Sequence, residues 1–149
     1  MNIDQILKTT NELSLTKKTV ISLIFKGCKV YSKLNDVIKP FDISIQQFNV
    51  LRILRGQKGK PVTLGMVQER MITEMSNTTR LINKLSKKGY TKKSIKVDNR
   101  RKVDIIITKA GLELLDYVDK IIDDTESNIV SNLNKSEKET LIRLLGRIS

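Results

Sequence analysis

The chain has 149 residues, enough to bury one real core with or without helical extensions. The 28 Lys/Arg against 16 Asp/Glu give a formal net charge of +12, a balance suited to a polyanionic partner. A single cysteine excludes an intrachain disulfide and points to a reducing, cytoplasmic setting, and the lack of histidine removes the usual general base and the commonest metal ligand.

In chain order, Ile3, Ile6 and Leu7 open an apolar helical face, and the polar stretch 11–18 is expected to break or bend it. From Val20, the positions Ile21, Ile24, Phe25, Cys28, Tyr31, Leu34 and Ile38 recur at three- and four-residue steps, which predicts an amphipathic helix ended by Pro40. Its run Val20–Phe25 is cut by Lys26 and follows no charged leader, so it reads as helix rather than export signal. No apolar run approaches the roughly 18–20 residues of a membrane span, and no membrane partner is expected.

Ser44 with Gln47 three residues on matches a capping box, and Phe48, Leu51 and Leu54 supply the buried stripe of the helix it opens. Residues 56–60 read as a loop and Pro61-Val62 as a short extended piece that could pair with the strands further along the chain. Leu64, Val67 and Met71 mark a helix over Thr63–Met71, a turn follows to Met75, and Ser76 is the expected N-cap of the next helix. That helix runs to about Lys88. Thr78, Leu81, Ile82 and Leu85 share its inward face, and Asn77, Arg80, Asn83, Lys84 and Lys87 share the outward one. Gly89 ends it where a positive φ is needed.

Two strand-like runs follow, Thr91–Val97 and Lys102–Thr108, joined by residues 98–101. In the second, Val103, Ile105 and Ile107 alternate toward one face. Thr108 caps a long helix with an apolar stripe through Leu112, Leu115, Val118, Ile122, Ile129 and Leu133 and an acidic exterior. Ser136 with Glu139 reads as a second capping box, opening a last helix with Leu141, Ile142, Leu144, Leu145 and Ile148.

Sixteen Lys/Arg and only four Asp/Glu lie between Arg52 and Lys109, so the whole charge excess falls on the central motif. A helix pair whose second helix shows polar donors, followed by an arginine-tipped hairpin, is the logic of a winged helix-turn-helix. The helix reads base edges in the major groove and the wing reaches the backbone or the minor groove. The fold class is therefore mainly α with a small β-hairpin wing. Residues 1–40 and 109–149 supply dimerisation helices around a DNA-binding domain at 41–108, since their apolar faces need a partner and a second copy of the chain is the economical one.

Ser76, Asn77, Thr79, Arg80 and Asn83 are the candidate base readers, because Arg can fork onto guanine and Asn onto adenine. Lys84, Lys87, Lys92 and Lys93 are candidate phosphate contacts, and Arg100 and Arg101 candidate wing contacts. Cys28, between Lys26 and Lys29, could serve as a redox-sensing thiol, but its place on the apolar stripe favours a small buried hydrophobe. One cysteine without histidine cannot build a soft-ligand metal site, and neither a phosphate loop nor a carboxylate pair stands out for catalysis, so no enzyme and no cofactor are expected.

At this point the sequence resembles the MarR family (multiple antibiotic resistance regulators) over nearly the whole chain. The matching stretches are Ser44–Leu51, Thr79–Leu85 with Lys88-Gly89-Tyr90, and Arg100-Arg101 followed by Ile107–Gly111. Their specificity lies in the combination at these spacings. The resemblance implies a homodimer on a pseudo-palindromic operator, usually a repressor, released when a small molecule binds between the dimerisation helices and the DNA-binding lobe. Family geometry would put Phe25, Cys28, Tyr31, Phe48 and Met71 near such a ligand. The family's wing tip carries Asp-x-Arg; here Asn99 stands at the Asp position and Arg101 at the Arg position, with Asp98 and Arg100 as the pair if the register slips by one. Two other readings stay open: a nucleoid-type DNA-binding protein with little sequence preference, and an adaptor that holds a partner protein on its acidic C-terminal helices.

Overall fold

The computed structural model describes residues 13–72, 77–96 and 99–148; within the strands, the side chains of residues 95–96 and 99–102 are outside this description. Six α-helices and a three-stranded antiparallel sheet occur among them. Helix α1 spans Leu15–Ile38, with Ser14 as its N-cap accepting from the Lys17 N–H. The expected break does not reach residues 15–18, since Lys17 and Lys18 are good helix formers and lie inside the first turn; residues 11 and 12 of that stretch are outside the described residues. A 3-10 turn over Lys39–Phe41, with Pro40 inside it, then reverses the chain, and Asp42 adopts a left-handed φ of 53°.

Helix α2, Ile45–Arg55, begins at the expected capping box: the Ser44 Oγ accepts from the Gln47 N–H and the Gln47 Oε1 accepts from the Ser44 N–H. Strand β1, Val62–Thr63, pairs with the wing as the sequence suggested, Val62 opposite Ile105. Helix α3 is short, Leu64–Gln68, capped by Thr63. Helix α4 spans Thr78–Lys87, with Gly89 at φ 78° closing it. Its N-cap is Asn77, whose Oδ1 accepts from the Arg80 N–H at 3.0 Å. This corrects the expected cap; Ser76 itself lies outside the described residues.

The wing is β2, Thr91–Lys96, against β3, Asn99–Ile107. Lys96 sits opposite Asn99, so only residues 97 and 98 separate the strands, and Arg100 and Arg101 belong to β3 rather than to the connection expected over 98–101. Thr108 caps helix α5, Lys109–Ile129, as expected. Helix α6, Lys135–Leu145, opens two residues earlier than expected. Asn134 and Glu137 form the capping box, which leaves Ser136 inside the first turn. The two overlapping S/N-x-x-E patterns compete, and the upstream one adds helix.

One core gathers Phe48, Leu51 and Leu54 of α2, Val62, Val67, Ile82 and Leu85 of the motif, Ile105 and Ile107 of the wing, and Leu115, Val118 and Ile122 of α5. Helix α1 packs on α5, and α2 sits between them and α4. The Arg55 guanidinium donates to the Asp119 carboxylate, tying α2 to α5. Other apolar residues find no cover in the single chain: Val20 and Ile24 of α1 are half to two-thirds exposed, Leu112 of α5 is exposed despite its place in the expected stripe, and so are Leu141, Ile142, Leu144, Leu145 and Ile148 at the C-terminal end. Among the described residues, no helix is long and apolar enough to cross a membrane.

Candidate nucleic-acid interface

Helix α4 divides as its sequence pattern demands. Thr78, Ile82 and Leu85 are buried and Leu81 packs partly against the core, while Asn77, Thr79, Arg80, Asn83, Lys84 and Lys87 are exposed on the other side. The apolar face fixes the helix on the core, and the polar face is left free to enter a groove about 12 Å wide.

Individual side chains carry different duties. Asn77 spends its carbonyl oxygen on the cap, so it has its amide N–H donors to offer a base edge or a phosphate rather than a full bidentate pattern. Asn83 accepts from the Lys93 ammonium of β2, which links the helix to the wing. Reading an adenine through both ends of Asn83 requires that oxygen to be shared or released. Arg80 stands beside Gln46, Asn77, Leu81 and Lys84 in a shallow cleft of about 340 Å3. Gln46 lies outside the candidates read from the sequence. Its neighbour Gln47 carried the capping signal, and only the packing of α2 on α4 reveals Gln46 as part of this surface.

The wing strand β2 presents exposed Lys92 and Lys93 beside this helix. Arg100 and Arg101 share β3, while their side chains and that of Asn99 are outside the described residues, as is Asp98 altogether. The wing is anchored at its base. The Thr108 N–H donates to the Tyr90 carbonyl at 3.0 Å, and the Thr108 hydroxyl donates to the Gly89 carbonyl at 2.7 Å while accepting the Gly111 N–H. One threonine thus joins the end of α4, the wing and the start of α5.

The expected ligand residues separate. Phe48 and Met71 are core residues, 2% and 8% exposed, and do not line an open cleft; their apolar side chains complete the seal between α2 and α3. Phe25 is half-buried under the Lys29 ammonium, 5.6 Å from its ring centre. Tyr31 lines an apolar cleft of about 330 Å3 with Val30, Leu34, Ile45, Gln46, Asn49 and Ile72, between α1 and α2. Cys28 is exposed, not buried as its stripe position suggested, because that stretch of α1 extends beyond the winged core. It borders a second opening with Gly27, Tyr31, Ser32 and Asn35. Among the described residues, no group of three His, Cys, Asp or Glu is placed to hold a metal ion.

With this geometry in hand, comparison with known proteins is direct. The family model described as MarR family matches residues 43–103, from the turn before α2 to the middle of β3. The HTH-type transcriptional regulator PecS of Dickeya dadantii is 30% identical over 118 residues, spanning 77% of this chain and 70% of PecS. Two solved structures share the fold. BpsR of Bordetella bronchiseptica, described with a mechanism for regulation of its DNA binding by 6-hydroxynicotinic acid, aligns with TM-score 0.78 at 20% identity, over 87% of this chain and 97% of that one. A mutant MarR from E. coli complexed with operator DNA aligns with TM-score 0.75 at 23% identity, over 91% and 98% of the two chains. The match to PecS extends well beyond the segment the family model covers, at 30% identity over 77% of this chain: this chain belongs to the MarR family of DNA-binding transcriptional regulators.

Proposed function

We propose that the protein is a cytoplasmic, homodimeric repressor that binds a pseudo-palindromic operator and is released by a small-molecule effector. The observation that carries the DNA reading is helix α4: its apolar face is buried to 4% exposure or less at Thr78, Ile82 and Leu85, and its exposed face holds Arg80, Asn83, Lys84 and Lys87. Arg80, Asn83 and Thr79 read bases, with Asn77 and Ser76 at the helix start. Lys84, Lys87, Lys92 and Lys93 hold phosphates, and Arg100 and Arg101 extend the contact through the wing. Two copies related by a two-fold axis present two such helices to half-sites about one helical turn apart. Residues 1–40 and 109–149 form the dimerisation region in this reading, supported by the apolar residues that α1 and the C-terminal end leave exposed.

The effector site is the apolar cleft beside Tyr31. It lies between α1, which belongs to the dimerisation region, and α2, which carries α4; a molecule seated there alters the relation of the two lobes and hence the spacing of the recognition helices. Its lining of Val30, Leu34, Ile45 and Ile72 with Gln46 and Asn49 at one side suits a compact apolar or aromatic molecule with one or two polar groups. The operator description of the E. coli MarR complex and the regulation of BpsR DNA binding support both parts of the reading.

Selection from a random duplex library, repeated at several salt concentrations, tests it. The expected product is an enriched inverted repeat. Salt-sensitive binding without a motif would replace it with a nucleoid-type role, and no binding at low salt would point to an adaptor instead.

A further inference from the structure

A cleft of about 430 Å3 lies where the turn before α2 meets the C-terminal half of α4. Its polar lining is Lys39, Asp42, Ser44 and Gln47 from one side and Lys84, Lys87 and Lys88 from the other. The single carboxylate is already engaged: the Lys88 ammonium donates to the Asp42 Oδ2 at 2.5 Å and to the Asp42 carbonyl. Lys39, Lys84 and Lys87 form no ion pair with a described residue, so the lining holds an uncompensated positive charge.

A second observation is independent of these lysines. Gln47 is 5% exposed, and its Oε1 is committed to the Ser44 N–H at 3.0 Å. That leaves its Nε2 buried with no hydrogen-bond partner among the described residues. A buried amide donor without an acceptor is a standing cost that an anion in the cleft would remove. The N-terminus of α2, an 11-residue helix, adds its partial positive charge at the same place. Four lysines against one aspartate suit a dianion with several acceptor oxygens better than a single carboxylate.

We propose that this cleft is a phosphate site, in which Lys39, Lys84 and Lys87 supply the charge and the Gln47 Nε2, without a partner among the described residues, becomes a donor when the side chain shifts toward the anion. The phosphate comes either from the nucleic-acid backbone flanking a half-site or from a free phosphorylated molecule. The site is separate from the apolar effector cleft and goes beyond base reading by α4; its free-phosphate arm stands even if the DNA reading fails.

The test follows the Gln47 side-chain amide signals of the full-length protein by 1H–15N NMR, together with the Ser44 and Lys88 backbone amide signals, which remain readable in every variant. Inorganic phosphate is titrated against sodium chloride at matched ionic strength, and the selected duplex is then added to a fresh sample. Gln47→Glu keeps the acceptor of the capping box and replaces the free donor with a carboxylate; Lys39→Met is the second variant, outside that box. A saturable shift with phosphate but not chloride, weakened about tenfold or more in both variants, is the expected result. If the phosphate is that of the DNA, the duplex shifts the same signals and both variants lose duplex affinity at constant salt. If it is free, inorganic phosphate alone moves them. Signals that stay put with phosphate and duplex, or variants that bind both like the unaltered protein, would overturn the site.

Discussion

At the scale of single residues, two positions set firm expectations. Gly111 lies in the first turn of α5, where an added Cβ would stand 2.4 Å from the Tyr90 carbonyl oxygen and 2.8 Å from the Ile107 Cγ1. The backbone oxygen cannot swing aside, because it already accepts the Thr108 N–H that anchors the wing. Gly111→Ala should therefore destabilise the fold by about 1–3 kcal/mol despite the better helix propensity of alanine, read as a lower urea midpoint at unchanged slope. Asp42 offers a pH signature. The hydrogen bond from Lys88 comes first and its charge second, with Lys84 adding to them; together they hold the Asp42 carboxyl below the usual carboxylate range. A depressed carboxylate stabilises the folded state above its unfolded pKa, and that contribution is lost as pH falls through the folded value, hence only on the acid side of the ordinary carboxylate titration. An NMR titration of the Asp42 carboxyl should show this depression, and Lys88→Met should return it to the ordinary range. Equal titration curves in the two proteins would disprove the assigned cause.

At the scale of elements, the proposed function assigns specificity to α4 and affinity to β2. Arg80→Ala should relax discrimination at one base position by about 1–3 kcal/mol while leaving nonspecific binding nearly intact. Lys92→Met, on exposed β2, should weaken all duplexes alike and lower the salt slope by about one. Titrations of the selected site and a scrambled duplex at several salt concentrations separate the two; a uniform loss from Arg80→Ala would reassign that side chain to phosphate. These elements were largely legible in the sequence, because periodicity and capping are local properties. The capping box at Ser44, the two faces of α4, the alternation of Val103, Ile105 and Ile107 and the cap at Thr108 all follow from short-range patterns. The misplacements arise where neighbouring residues offer equal local chemistry. Ser76 and Asn77 are both good caps by residue type, and the hydrogen bond from the Arg80 N–H to the Asn77 Oδ1 marks the start of α4. Asn134 and Ser136 each precede a glutamate by three, and the upstream box governs. Interface chemistry was less legible, since the proximity of Lys93 to Asn83, of Lys88 to Asp42 and of Gln46 to Arg80 depends on tertiary packing that spacing does not encode.

At the scale of the whole molecule, the distribution of exposed apolar surface argues for a second copy. Among the described residues, sixteen buried hydrophobic side chains form one cluster that includes α5 residues but none from α6. Helix α6, by contrast, has no buried residue, and Leu141, Ile142, Leu144 and Leu145 are 42–70% exposed. A helix with this composition, capped at Asn134 and carrying four branched apolar side chains in its last turns, supplies half of the interface in the proposed dimer. Because a two-fold interface uses each residue twice, the double substitution Ile142→Glu/Leu145→Glu removes four apolar side chains from the dimer. With each buried side chain contributing about 1.5–3 kcal/mol, the loss is several kcal/mol, enough to raise the dissociation constant by about a thousandfold or more. The core contains none of these residues, so the thermal transition should lose its dependence on protein concentration while the monomer fold, followed by the near-UV tyrosine signal, is retained. Sedimentation at micromolar protein should show monomer for the variant and dimer for the unaltered chain. Binding to a duplex with both half-sites should fall to the affinity for a single half-site, because linking two recognition helices through the dimer is what makes the second contact intramolecular. A variant that remains dimeric would move the interface to the exposed face of α1, and one that is monomeric yet binds the full site undiminished would show that one protomer suffices for recognition.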